Sequence, residues 1–274
     1  MNVGALPNTR LKLTAPVVCG RITFVVIPVR PPMIRTLALV LGLASVVLPA
    51  AAFGQAKHYA LSTTDGLRLH NTTAEAVTFK GSRAVRVAVA PDVTRRPEYL
   101  AGTMEPEAFA RIEGVEFSSG VIEVEVASAP AEGAGPGARG FAGIAFRLRS
   151  DNDSGPQTYD AFYLRPTNGR AEEQERRNHA VQYISHPEWT WSRLRRETPS
   201  KYEAYVDLVP DTWTKIRIEV RGAQARLFVH DALQPVLIVH DVKSGPSAAG
   251  AVALWIGPGT VAYFRNLVVT PQKD

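Results

Sequence analysis

The residues with the most chemical potential in this chain fall in one stretch, RRNHAVQYISHPEWTWSRLRRE. Within about twenty positions it places Asn178, Gln182, His186, Trp189, Trp191 and Arg195, with Glu203 following shortly after. Indole faces stack on apolar ligand surfaces, and guanidiniums and amides hydrogen-bond hydroxyls. Histidine with an ordinary pKa serves as general acid or base near neutral pH, and a carboxylate can share that work. Just upstream, TYDAFYLRP alternates so that Phe162 and Leu164 take one face of a strand and Tyr159, Tyr163 and Arg165 the other. In FAGIAFRLR the same alternation sets Ile144, Phe146 and Leu148 against Arg147 and Arg149, predicting that both arginines point off the core.

Each assignment has a purely structural counterpart. Trp189 and Trp191 can plug the end of a sandwich, and Arg147 and Arg165 can pair with Asp160, Glu173 or Glu203. His186, standing before Pro187, can be a turn residue. The alternation in AVQYIS leaves the facing of Gln182 open.

The elements that position these residues are strands. From Tyr59 onward apolar residues recur with period two, as in GVIEVEVAS and WTKIRIEV, and Gly- and Pro-bearing turns such as Gly257-Pro258-Gly259 separate the runs. About a dozen strands in some 220 residues predict an all-β fold, a two-sheet antiparallel sandwich of jelly-roll type. The segment Ala127 to Gly140 reads as a surface loop, and Glu172 to Asn178 as a turn or two of helix. Thr167 to Tyr202 is the longest departure from the strand pattern, and long loops in compact domains tend to carry function.

The amino-terminal region is different in kind. From Met33 the chain carries Arg35, an apolar run from Leu37 to Leu48 and then small residues, the layout of a signal peptide over residues 33–54. The run is too short to span a bilayer, so no membrane insertion is expected of the mature part, residues 55–274. Residues 1–32 in front of such a signal are read as a mis-assigned upstream extension, and the expected location is secreted or periplasmic. Five of the 31 basic residues precede Gln55 and none of the 26 acidic ones does, leaving 26 of each sign in the mature part. The net charge of +5 is therefore no argument for a nucleic-acid partner. The only cysteine, Cys19, also lies upstream, which removes disulfides, a thiol nucleophile and cysteine metal sites from the expectation. No phosphate loop, H-E-x-x-H or G-x-S-x-G motif occurs.

The succession GVIEVEV, GFAGIAFRL, YDAFYLRP, W-x-K-I-R-I-E-V, A-R-L-F-V and G-A-V-A-L-W-I-G resembles the concanavalin A-like lectin and glucanase superfamily, laminin-G-like jelly rolls included. It is most similar to secreted bacterial domains grouped with family 16-like glycoside hydrolases and 3-keto-disaccharide hydrolases. The resemblance implies a concave sheet face that holds a saccharide. Glucanases of this superfamily carry E-x-D-x-x-E on one strand; here Glu123 and Glu125 match approximately, but Ser128 replaces the third carboxylate. Without its partner a nucleophile is inert by that route, so a solvated face is the preferred reading of the pair.

Two function classes lead. One is a saccharide-binding domain lined by Arg147, Tyr159, Tyr163, Arg165, Asn178, Gln182, Trp189, Trp191 and Arg195. The other is a glycan-active enzyme using His186 and Glu203 for proton transfer. A structural or protein-binding jelly roll stays open as a third. No cofactor or metal site is expected, with calcium an option at Asp151-Asn152-Asp153-Ser154-Gly155, whose oxygen-rich composition suits a hard cation but whose spacing is not that of an EF-hand loop.

Overall fold

A computed structural model describes residues 54–150 and 157–272. The signal peptide, apart from Gly54, the upstream extension and the calcium-compatible stretch all lie outside the described residues. The strands in chain order are β1 (Lys57–Tyr59), β2 (Leu67–His70), β3 (Thr72–Phe79), β4 (Ser82–Val89), β5 (Ala108–Ile112), β6 (Gly120–Pro130), β7 (Ala142–Ser150) and β8 (Gln157–Leu164). They continue as β9 (Val181–His186), β10 (Glu203–Ala204), β11 (Thr214–Arg221), β12 (Gln224–Val229), β13 (Leu237–Val239), β14 (Ala251–Ile256) and β15 (Thr260–Pro271).

They form two antiparallel sheets. The first runs β13-β12-β11-β6-β15-β4-β3, with β1 also on β15; the second runs β10-β9-β8-β7-β14-β5-β2. Period two does the sorting: Ile122, Val124 and Val126 of β6 and Ile216, Ile218 and Val220 of β11 are all buried between the sheets. Facing them from the second sheet are Ile144 and Phe146 of β7, Phe162 and Leu164 of β8, and Leu254 and Ile256 of β14. The jelly-roll expectation matches this architecture.

Glu123 and Glu125 lie on the outer face of the first sheet, engaged by Lys215 at 3.7 Å and by Arg265 and Asn266 respectively. Extended structure continues along β6 to Pro130, into the segment read as a loop, because β15 pairs with it through Thr260 opposite Pro130. The helical content is small: α1 (Pro91–Thr94) and α2 (Pro97–Leu100) each begin on proline, and α3 (Gln174–Asn178) falls where a turn of helix was expected. The fourth helix, α4 (Trp191–Glu197), was not anticipated; Thr190 caps it by accepting from the Arg193 amide.

The second sheet is strongly curled. The Glu107 carboxylate, at the end of the strap that joins β4 to β5, reaches His70 of edge strand β2 at 3.8 Å and also contacts His186 of β9. Four strands, β5, β14, β7 and β8, separate β2 from β9, so a flat sheet would hold these histidines roughly 20 Å or more apart at ~4.8 Å per strand. Curling is permitted by small side chains in the middle of the inner face: Gly143 and Ala145 of β7, Ala161 of β8 and Ala253 of β14. A Cβ at Gly143 would collide with the Phe162 carbonyl oxygen.

Candidate functional site

One register row crosses the curled face. It runs His70, Phe109, Trp255, Gly143, Tyr163, Gln182, Glu203 from β2 to β10. Trp255 sits in the middle, its ring 4.7 Å from that of Tyr163 and its Nε1 donating to the Tyr159 hydroxyl at 3.1 Å. Phe109 meets Tyr159 edge-on at 6.1 Å and stacks on His70 at 4.8 Å. The trough is thus filled by its own rings: Tyr159, Tyr163, Phe109 and Trp255 are all below 10% exposed. Burial pushes the Tyr159 and Tyr163 hydroxyls up, so both stay protonated while accepting from Trp255 and Arg165 respectively. Trp255→Phe keeps most of the volume and deletes the indole donor. It should cost about 1 kcal/mol, read from urea unfolding; an unchanged midpoint would show that this hydrogen bond contributes nothing.

At one end of the trough lies a closed polar cluster. Arg165 is buried and donates to Glu203 Oε1 (2.9 Å), Gln182 Oε1 (2.9 Å), the Tyr163 hydroxyl (3.1 Å) and the His179 carbonyl (3.2 Å). Arg195 approaches the same carboxylate from α4, with Nε 3.0 Å from Oε2. Burial raises the Glu203 carboxyl, but the two guanidiniums outweigh it and hold it below the usual range. A carboxylate so committed is a poor proton donor at neutral pH, and both its oxygens are occupied. His179 Nε2 stands 3.6 Å from Glu203. Its pKa is lowered by burial first, against the pull of the carboxylate.

At the other end the trough opens into a cleft of about 210 Å³ whose lining includes Arg149, Thr158, Tyr159, His186, Trp189, Lys243 and Ser244. His186 stacks on Tyr159 at 5.0 Å, and its side chain is 24% exposed. Trp189 lies between Arg193 at 4.0 Å and Lys243 at 4.4 Å.

Seven of the sequence-selected residues, Tyr159, Tyr163, Arg165, Gln182, His186, Arg195 and Glu203, gather along this face, and Trp189 joins at the cleft. Trp191 is half-buried under Arg195 at 5.0 Å. Asn178 is exposed on α3, where its side-chain oxygen accepts from Gln174. Arg147 corrects the expectation most sharply. A bulge between Phe146 and Arg149 gives it a φ of +55° and turns its side chain inward, so that it belongs to the lining of the cleft yet is buried at its floor. There it donates to the carbonyls of Ser118, Gly222 and Gly245 at 2.8–2.9 Å. The residues missed were Phe109, Trp255, His70, Glu107 and His179. Alternation in GAVALWIG carried the signal for Trp255, opposite the Val252, Leu254 and Ile256 face; nothing local announced Glu107.

This geometry can be set beside known proteins. No family model matches the chain, and no curated protein sequence does. Among solved structures, a Bacillus subtilis protein of unknown function with a galectin-like fold matches over 81% of this chain and 99% of its own, with 12% identity and a TM-score of 0.50. The fold is the concanavalin A-like jelly roll. Looser similarity extends to a carbohydrate-binding module from Bacillus subtilis (12% identity, 76% of this chain, 92% of that one, TM-score 0.42) and to a Bacillus licheniformis β-glucanase (13%, 80% and 99%, 0.43). At these identities the likeness describes the fold, and function rests on the site.

Among the described residues, no group of three metal-ligating side chains converges, and no helix is long and apolar enough to cross a membrane.

Proposed function

We propose that this chain is an exported carbohydrate-binding domain that takes a saccharide at the cleft where the curled sheet opens. The observation that carries the reading is the cleft's composition: the Tyr159–His186 stack, a half-buried tryptophan, hydroxyls from Thr158 and Ser244, and cationic donors at Arg149 and Lys243. Aromatic surface beside fixed polar donors is what a pyranose requires, because its ring presents apolar C–H faces and equatorial hydroxyls. The filled trough behind acts as a rigid wall that holds the Tyr159 and His186 rings in place.

The test is calorimetric titration with a panel of oligosaccharides, the same mixtures being followed by mass spectrometry. Binding without new products is expected, and Trp189→Ala should weaken it about tenfold, ~1.4 kcal/mol, in the range for losing an aromatic contact. Absence of binding to every glycan overturns the reading. One observation favours a second reading, a glycan-active enzyme: Glu107 contacts His186, the pairing of a base with an orienting carboxylate. New saccharide products that vanish in His186→Ala would establish it.

A further inference from the structure

The first sheet ends in a long strand with its outer side open. β3 has eight residues, whereas the other edge strands β13, β10, β2 and β1 have three, two, four and three. Its sequence, TTAEAVTF, holds neither proline nor lysine, and it pairs with β4 without a bulge, from Thr72 opposite Val89 to Phe79 opposite Ser82. Long edges are usually blunted by such devices, because their unpaired backbone groups are a template for another strand. Among the described residues, no backbone hydrogen bond joins residues 73–79 to anything but β4. From this edge we infer that its partner is a second copy of the chain. Two β3 strands pair antiparallel about a two-fold axis at Ala76 and join the first sheets of two molecules.

The register follows from the hairpin. Lys80 and Gly81 make a two-residue turn with φ of +47° and +76°, the geometry in which the flanking residues Phe79 and Ser82 exchange both hydrogen bonds. Alternation then sends the backbone groups of Val77, Glu75 and Thr73 toward β4 and those of Thr78, Ala76 and Ala74 outward. A two-fold pair must bring outward groups together and keep each side chain on its own face of the joined sheet. An axis at Glu75 sets two carboxylates directly opposite each other, which is destabilising. An axis at Ala74 needs Thr72, which is buried with its hydroxyl on the Phe109 carbonyl at 3.1 Å. An axis at Val77 or beyond runs into the Lys80 turn. With the axis at Ala76, Ala76 faces its own copy and Ala74 faces Thr78, giving three hydrogen-bonded pairs, about six bonds. Glu75 then lies opposite Val77 and keeps Arg86 of its own molecule at 3.8 Å. On the outer face Phe79 is half-buried, stacked on Tyr263 at 3.7 Å and edge-on to Trp213 at 5.7 Å. Pairing lays Thr73 of the second copy beside Phe79 and the Glu75 stem beside Val77, so the joint covers apolar surface as well as backbone.

The experiment is sedimentation velocity on the full chain across about a hundredfold range of concentration, with the thermal midpoint read alongside. A species of twice the chain mass should grow with concentration, and the midpoint should rise with it. Ala76 is exposed in the single molecule, so Ala76→Lys should leave the midpoint at the lowest concentration unchanged. On the axis it opposes two ammonium groups and should weaken association about tenfold or more. Cysteine variants fix the register independently, in a Cys19→Ser background because Cys19 is the only cysteine. Ala76→Cys should oxidise readily to a covalent dimer, its Cα atom being ~5.5 Å from its mate and within disulfide reach. Thr78→Cys should not, since it lies opposite Ala74 and ~13 Å from its own mate at ~3.3 Å per residue. A chain that stays monomeric over the whole range overturns the inference. So does a dimer indifferent to Ala76→Lys, or one that cross-links through Thr78→Cys as fast as through Ala76→Cys.

Discussion

Replacing Glu203 by glutamine should destabilise the protein by about 3 kcal/mol at pH 7, at the low end of the range for removing one partner of a buried ion pair. Arg165 would be left buried with its charge uncompensated, having only Gln182, Tyr163 and a carbonyl as partners. Arg195 is about one-third exposed and can turn to water, which moderates the loss. The pH dependence separates this mechanism from a simple packing defect. Glu203 has its folded pKa depressed, so its contribution is present above the unfolded glutamate value of ~4.3 and is lost as pH falls through the lower folded value. Wild type should therefore lose stability below pH ~4 faster than Glu203→Gln, and the two urea midpoints should converge in acid. A constant gap across pH 3–7 would show that the carboxylate charge is not what holds this corner together. Were Glu203 instead a proton-transfer group, the substitution would abolish a turnover while leaving the midpoint where it was.

The face of each strand was legible in the sequence because alternation is a local property. Phe162 and Leu164 lie inside, while Tyr159 and Tyr163 lie on the other face, as period two requires. Curling was not legible. It arises from Gly143, Ala145, Ala161 and Ala253 on three different strands, which become one surface only once the register is known. That curling explains why residues expected to face a ligand are buried, Gln182 completely and Tyr163 at 2%. Glu107 was invisible for a related reason: it belongs to an irregular strap, and its two histidine partners are 37 and 79 positions away in sequence only because the fold returns there. Arg147 failed for the opposite reason, because one extra residue in β7 reverses the parity that alternation assumes.

Arg147→Ala should be at least as damaging as the Glu203 change, about 3–5 kcal/mol. The Arg147 guanidinium is the donor for the carbonyls of Ser118, Gly222 and Gly245 and for Ser244 Oγ, drawing together the β5–β6 connection, the β11–β12 turn and the loop after β13. Removing it orphans buried acceptors and leaves Asp160 without its nearest cation, and neither is offset by the small apolar side chain. Arg147→Lys is the informative control. It preserves the charge near Asp160, yet a single ammonium on a flexible stem cannot reproduce a planar fork that serves three carbonyls. It should recover only part of the loss, leaving about 2 kcal/mol. Because Lys243 and Ser244 flank the loop that Arg147 anchors, ligand affinity at the cleft should fall in step with the thermal midpoint in both variants. A residue that touched the ligand directly would behave differently: Arg147→Lys would lower affinity at an unchanged midpoint, and that outcome would return Arg147 to the binding surface where its place in the strand alternation first put it.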